Sequence, residues 1–332
     1  MIDGLRWEEV FGGADSLLLN TEHGGIADTA AIRSEFWRPD LTERRRALLP
    51  FIWDSVAQQG QLLGDTTAGS IVLVTNRQNF SYPGYNEVLA GAADLRINTN
   101  AYPSNPNLTV FEWLSRRPGF EGKVAAFGTW DAFPRIFNRE RAGFHIWAGW
   151  EQPFAAPADS AELLLNELTR TTTRIWDDLS YDAFMQVLVR RYVEKHRPRV
   201  LFVGYGETDV WAHGGEYGKL LRSARQTDAF IAELWAQMQR HPEYRGRTAF
   251  IITTDHGRGG GLRAWRDHGS DVPGADRIWV AAIGPGIRPL GSRRNADTFT
   301  QAQLAATIAA LVGEDFRPSG TVAPAIPDLL PD

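Results

Sequence analysis

The sequence predicts an α/β protein built on a mostly parallel sheet. Three observations carry that expectation. Short apolar runs with strand composition recur at 70–75, 123–128, 199–204, 249–252 and 277–283. Segments with apolar residues at helical spacing separate many of them, at 41–59, 161–173, 181–196 and 217–240. The runs are apolar almost throughout rather than alternating, as strands covered on both faces are. Strand and helix alternate along the chain, which argues for parallel strands joined by helical crossovers. The 332 residues allow one large domain or two smaller ones, with a sizeable core.

Composition narrows the possible functions. Hydrophobic residues make up 43% and charged residues 23%, ordinary values for a globular chain. The net charge of −5 argues against a dedicated nucleic-acid partner, which would favour a basic surface. There is no Cys, so neither a disulfide, a thiolate metal site nor a Cys nucleophile is available. A transition-metal site would have to use His and carboxylates, a donor set suited to Zn, Mn or Fe. No stretch reaches the roughly 18 apolar residues of a membrane span, so no membrane partner is expected. The absence of Cys fits cytoplasm and periplasm equally, and no signal peptide is read within this sequence. Localisation and oligomeric state therefore stay open.

In chain order, Asp3-Gly4 reads as the end of a strand of which only Met1 and Ile2 remain, where a strand ordinarily has about five residues. The first strand is expected to be truncated. Residues 7–11 followed by Gly12-Gly13 read as a helical turn with a Gly stop. Thr42 is a candidate N-cap for a helix over 41–59, ended by Gly60. After the strand at 70–75, Pro83 marks the first turn of a helix and places Ser81 just before its N-terminus. Backbone N–H groups there favour an anion. A hydroxyl at that place can cap the helix, or attack a group cradled by those N–H groups. Residues 94–107 are rich in Asn and Pro and read as an irregular loop. Residues 111–114 suggest a short helix, and the aromatic-rich 129–157 a covering segment. Residues 299–312 read as a terminal helix, followed by a Pro-rich tail from Arg317.

Chemistry-bearing residues collect where strands end. Asp209 and His213 are four apart, on one face of a helical turn after the 199–204 strand. Asp255-His256-Gly257 closes the apolar run 249–252, and His268 follows in a Gly-rich connection. The ends of parallel strands are where ligands bind in open α/β sheets. Each feature alone has a plain explanation: a frayed acid at Asp3, a helix cap at Ser81, a surface Asp–His pair, a solvated strand end. Together they place three Asp, three His and one hydroxyl at one sheet edge. That set suits two divalent metals around a Ser oxygen, which lower the hydroxyl pKa and stabilise attacking and leaving oxygens in line.

These motifs, in this order over nearly the whole chain, resemble the alkaline phosphatase superfamily, in particular its nucleotide pyrophosphatase/phosphodiesterase-like and phosphoglyceromutase-like members. The resemblance rests on Asp3-Gly4, on Ser81 with Pro83 two and Gly91 ten residues on, on Asp209-x-x-x-His213, on Thr254-Asp255-His256-Gly257 and on His268. It implies a three-layer sandwich with a mostly parallel central sheet, as one catalytic domain over 1–332 with a cover within about 92–160. It implies two divalent ions, zinc first with Mn or Fe as alternatives, one held by Asp209, His213 and His268 and the other by Asp3, Asp255 and His256. Ser81 would bridge them as the nucleophile toward a small-molecule phosphate ester, monoester or diester, through a phosphoseryl intermediate. Asn98 or Asn100 would contact a phosphoryl oxygen. Formylglycine chemistry of the sulfatase kind is not expected, because the residue four after Ser81 is Tyr85 rather than Arg. A phosphomutase or phosphotransferase on the same site, and a truncated, metal-poor non-enzyme, are the alternatives.

Overall fold

The computed structural model of the chain describes residues 1–331. Its strands are β1 (Gly60–Leu63), β2 (Val72–Leu73), β3 (Val124–Gly128), β4 (His145–Ala148), β5 (Val200–Gly204), β6 (Phe250–Thr253), β7 (Arg277–Ile278), β8 (Val280–Ile283), β9 (Gly291–Ser292) and β10 (Phe299–Thr300). They pair as β4-β3-β5, as β6-β8-β1-β9 and as β10-β2-β7.

Residues 1–3 join the first two of these sheets. Tyr205 N donates to Met1 O and Asp3 N donates to Tyr205 O, bracketing a parallel Ile2–Tyr205 bridge. On the other side Ile2 N donates to Thr253 O, at the end of β6. The first strand is as short as expected, yet it lies in the middle of the layer, and Ile2 is 1% exposed. Three residues suffice because their backbone groups bond to both flanking chains.

The expectation of a mostly parallel sheet holds only in part. β3 runs parallel to β4 and β5, β1 to β9, and β2 to β10. β8 runs antiparallel to both β1 and β6, and β7 antiparallel to β2. The connection from β6 to β7 and β8 carries only the short helix Gly261–Ala264. It makes no long helical crossover of the kind that returns a chain parallel to its start.

Both faces of the layer are covered by helices. In β3, Ala125 and Phe127 belong to one core cluster, with Leu220, Leu221, Ile231 and Leu234 of the helix Tyr217–Arg240. Val124 and Ala126 belong to the other, with Tyr85 and Leu89 of the helix Ser81–Ala90 and Ala305 of the helix Gln303–Leu311. This is the period-two alternation of a strand buried on both sides. Among the described residues no helix is long and apolar enough to cross a membrane.

Several elements differ from their sequence reading. The helix expected over 41–59 breaks after Leu41–Leu48, because Pro50 has no N–H to continue it, and resumes as a π-helical turn, Ile52–Val56. Its N-cap is Asp40, whose side chain accepts from Glu43 N, rather than Thr42. Gly60, read as a stop, begins strand β1; a Cβ there would lie 1.9 Å from Ala282 O on β8. The terminal helix starts at Gln303, after β10. The stretch 129–157 supplies β4, and Phe133 and Phe137 pack there against Phe202 in the core.

Candidate metal centre

The nucleophile candidate is set by a helix buried along its whole length. All ten residues of Ser81–Ala90 are buried, with Phe80 as N-cap and Ser81 as the first helical residue, so the helix starts one residue earlier than expected. The loop before it holds two non-Gly residues at positive φ, Arg77 at 63° and Asn79 at 53°. Glu87, on the same helix, fixes that loop. Its carboxylate accepts from Thr75 N, Thr75 Oγ1, Asn76 N, Asn76 Nδ2 and Gln301 Nε2, at 2.6–3.1 Å. The Ser81 hydroxyl caps nothing. It lies 3.4 Å from His256 Nε2.

His256 is the hub. Its Nδ1 sits 2.9 Å from Gly257 O, a pure acceptor, so Nδ1 carries a proton and Nε2 faces the cluster. Around Nε2 lie Asp255 Oδ2 at 3.4 Å, Asp3 Oδ1 at 3.5 Å and Asp209 Oδ1 at 3.7 Å. His268 is oriented in the same way. Its Nδ1 lies 3.2 Å from Asn79 O, which turns Nε2 toward Asp209 Oδ1 at 3.8 Å and toward His213 Nε2 at 2.9 Å. His213 Nε2 also lies 3.4 Å from Asp209 Oδ2, the i,i+4 pairing expected on the helix Glu207–His213.

The residues fit a divalent ion on one side of this cluster. Asp3 Oδ1 and Asp255 Oδ2 are buried and have no hydrogen-bond partner. An orphaned buried carboxylate oxygen is costly, and a cation removes the cost. A tetrahedral site with bonds of about 2.1 Å has ligand-to-ligand edges of about 3.4 Å. The separations of 3.4 and 3.5 Å from His256 Nε2 agree with that value. The remaining oxygens are already held: Tyr85 Oη donates to Asp3 Oδ2 at 2.7 Å, and Gly4 N to Asp255 Oδ1 at 3.2 Å. Such outer contacts orient metal ligands.

The other side is built differently. Asp209 Oδ1 accepts from the fully buried Arg258 guanidinium, which also donates to Gly4 O at 3.1 Å and to Asp209 O at 3.2 Å. Asp209, His256 and His268 bring their donor atoms within 4.8 Å of one another, as do Asp3, Asp255 and His256. His256 is thus common to both groups, where the sequence pattern assigned it to one.

Electrostatics follow from packing three carboxylates together. Burial, reinforced by Asp3, pushes Asp255 up to about 8. Burial and Asp209 likewise raise Asp3. Burial alone would lower His256, but Asp255 and Asp3 outweigh it and raise it to about 9. Burial would raise Asp209 too, yet Arg258 and the neighbouring His hold it well below the usual carboxylate range. Burial lowers His213 and, more strongly, His268, which keeps both as neutral donors.

Of the sequence candidates, Ser81, Asp3, Asp209, His213, Asp255, His256 and His268 converge here. The two asparagines divide. Asn100 Oδ1 accepts from Tyr82 N at 2.9 Å, in the first turn of the Ser81 helix, whereas Asn98 is exposed. Arg258, Tyr85 and Glu87 escaped the sequence reading. Tyr85 and Glu87 follow Ser81 by four and six residues on one helix, and Arg258 directly follows the Asp-His-Gly turn.

No family model matches the chain, and no curated protein matches it in sequence. Solved structures do match in fold. Murine ectonucleotide pyrophosphatase/phosphodiesterase 5 is 10% identical, covers 99% of this chain and 98% of its own, and superposes with a TM-score of 0.55. An inactive Thr-to-Ala form of that protein was solved in complex with AMP. The phosphonate monoester hydrolase of Silicibacter pomeroyi is 15% identical over 95% of this chain and 72% of its own, with a TM-score of 0.54. A protein in the alkaline phosphatase superfamily from Vibrio parahaemolyticus is 12% identical over 93% and 78%, with a TM-score of 0.51.

Proposed function

We propose that this chain, which has the alkaline phosphatase superfamily fold, is a metal-dependent hydrolase of phosphoric esters with Ser81 as nucleophile. One observation carries the reading. The Ser81 hydroxyl lies 3.4 Å from His256 Nε2, beside two orphaned carboxylate oxygens, at the first residue of a ten-residue helix. The structural neighbours named as phosphodiesterase and phosphonate monoester hydrolase support the same class of chemistry.

In this reading Asp3, Asp255 and His256 hold one divalent ion, and Asp209, His213 and His268 hold a second. Zinc is the first choice for His and carboxylate donors, with Mn or Fe as alternatives. When bound, such ions lower the pKa of a hydroxyl and neutralise charge on transferring phosphoryl oxygens. The chain does the positioning. Glu87 fixes the loop that aims Ser81, and in the first helical turn Ser81 N is the N–H left for a phosphoryl oxygen, because Tyr82 N is held by Asn100, Pro83 has none and Gly84 N donates to Phe80 O. Asn100 holds Tyr82 N through its Oδ1, leaving its Nδ2 as a donor to a phosphoryl oxygen. Ser81 Oγ gives up its proton to solvent as it bonds to phosphorus, the bond to the ester oxygen breaks and that oxygen takes a proton from solvent. Water then hydrolyses the Ser81 ester, releasing phosphate from a monoester or a phosphate monoester from a diester. Tyr85, bonded to Asp3, occupies the place an Arg would take beside a formylglycine.

The test is turnover of aryl phosphate monoesters and diesters, side by side, with elemental analysis of the purified protein. Zinc or a similar ion at one to two equivalents is expected. Ser81→Ala is expected to lose turnover by at least about 10³-fold while keeping its metal. Full turnover in Ser81→Ala would end this reading.

A further inference from the structure

A second group of oxygen ligands lies behind the helix that carries Asp209 and His213. Asp182 and Glu207 are the first residues of the helices Asp182–His196 and Glu207–His213. They cap each other: Asp182 N donates to Glu207 Oε1 at 2.9 Å, and Gly206 N donates to Asp182 Oδ1 at 3.0 Å. That exchange accounts for one oxygen of each carboxylate. It leaves Asp182 Oδ2 without a hydrogen-bond partner, on a residue only 3% exposed.

A cavity of about 100 Å³ lies there, lined by Asp182, Glu207, Ser223, Gln226 and Thr227. Thr227 is fully buried, and its Oγ1 also has no partner. Ser223 Oγ lies 3.5 Å from Glu207 Oε2, at the limit of a hydrogen bond. Neither carboxylate has an ion-pair partner among the described residues. A buried acid, a half-buried one and two buried hydroxyls thus surround a small cavity whose lining holds no cationic side chain.

We propose that this cavity is a site for a hard divalent cation of the magnesium or calcium class, separate from the His-bearing centre. Its donors are all oxygens: the carboxylates of Asp182 and Glu207, the hydroxyls of Ser223 and Thr227, and the amide oxygen of Gln226. Such a set selects hard cations over zinc. The cation satisfies the two orphaned atoms and ties the long helix Tyr217–Arg240 to the first residue of Glu207–His213. It thereby steadies the seven-residue helix that presents Asp209 and His213.

The experiment is isothermal titration of MgCl₂ and CaCl₂ into the purified protein in the presence of excess zinc, so that the His-bearing centre does not compete. One equivalent is expected to bind with a dissociation constant in the range of about 10⁻⁴–10⁻³ M or tighter. Asp182→Asn keeps the Oδ1 cap and is expected to abolish uptake. Thr227→Val is expected to weaken uptake several-fold, yet to melt no lower than wild type in EDTA, because it removes an unsatisfied hydroxyl. His256→Ala is expected to leave uptake unchanged. No saturable uptake up to about 10 mM would overturn the proposal, leaving the cavity to water. So would uptake that survives Asp182→Asn or disappears in His256→Ala. A lower melting temperature for Thr227→Val in EDTA would count against it, since the hydroxyl would then be bonded within the fold.

Discussion

Gly84→Ala tests how closely the Ser81 helix must approach the Asp255-His256 turn. Gly84 stands three residues after Ser81, and a Cβ built on it would lie 2.2 Å from Asp255 O and 2.9 Å from Asp255 C. Both are backbone atoms at the turn that positions His256, so no side chain can swing away. Ordinary contact begins at 3.4 Å, so the helix and the turn must separate by about 1.2 Å, the difference between 3.4 and 2.2. Forcing a group into a packed interior costs about 1–3 kcal/mol. The same displacement would carry Ser81 away from His256 Nε2, now 3.4 Å distant. A misplacement of about 1 Å between reacting groups costs on the order of 10²-fold in rate. Thermal denaturation and turnover of an aryl phosphate ester, measured together, check both parts. Gly12→Ala is the control: nothing lies within 4 Å of that Cβ, and Gly12 is not at positive φ. The variant should match wild type or gain about 0.5–1 kcal/mol in its helix. Gly84→Ala with wild-type turnover and melting temperature would refute the reasoning.

Two further outcomes follow from buried charges. Arg258→Lys is expected to lower turnover of aryl phosphates and to destabilise the fold, because a point charge cannot span Asp209, Gly4 O and the chain near His268 as the fork does; wild-type kinetics and denaturation midpoint would dismiss that role. Asp228 accepts from Phe51 N and Ile52 N, and burial pushes it up to about 7 against those bonds. Its folded pKa exceeds the unfolded value, so the folded state holds the extra proton between pH of about 4 and 7. Stability should therefore fall as pH rises through that window, by no more than about 1.4 kcal/mol per unit from this group. Asp228→Asn should flatten that slope in chemical denaturation at pH 5 and pH 7, and an unchanged slope would exonerate Asp228.

What the sequence made legible is the set of groups with local signatures. The i,i+4 pair Asp209/His213, the Asp-His-Gly turn and the Pro83-marked helix start each follow from residues near one another in the chain. The structure places all three at strand ends, as read. The long helix Tyr217–Arg240 shows its full apolar period and was read to both of its bounds. The misses are cases where distant backbone decides. Strand β1 begins at a Gly that reads as a stop, and the pairing with β8 and β9 alongside makes it a strand. Residues 1–3 look too short to hold Asp3, yet Tyr205 and Thr253 supply their hydrogen bonds from 200 and 250 residues away. The orientation of β8 depends on a loop without periodicity, so no apolar pattern could announce it. Arg258 looks like any charged residue after a turn until Asp209, 49 residues earlier, is brought against it.

That contact makes the two halves of the centre unequal, although the sequence pattern presents them as a matched pair. Asp3, Asp255 and His256 have side chains 7%, 0% and 0% exposed, and two of their oxygens are orphaned. The one charge that faces those oxygens is His256, which Asp209 also draws on, so a cation there removes a large burial cost. Asp209 already has the Arg258 guanidinium on Oδ1, and His213 is 44% exposed. A cation at Asp209, His213 and His268 would replace an existing ion pair rather than an uncompensated charge, and water can reach one of its ligands. Loading should therefore be sequential. Titration of metal-stripped protein with zinc, read by competition with a chromophoric chelator, is expected to show one tight equivalent followed by a weaker one. Asp255→Asn should remove the tight step, and His213→Ala only the weak one. Two equivalents of equal affinity, or a tight step lost in His213→Ala and kept in Asp255→Asn, would show that Arg258 does not divide the site in this way.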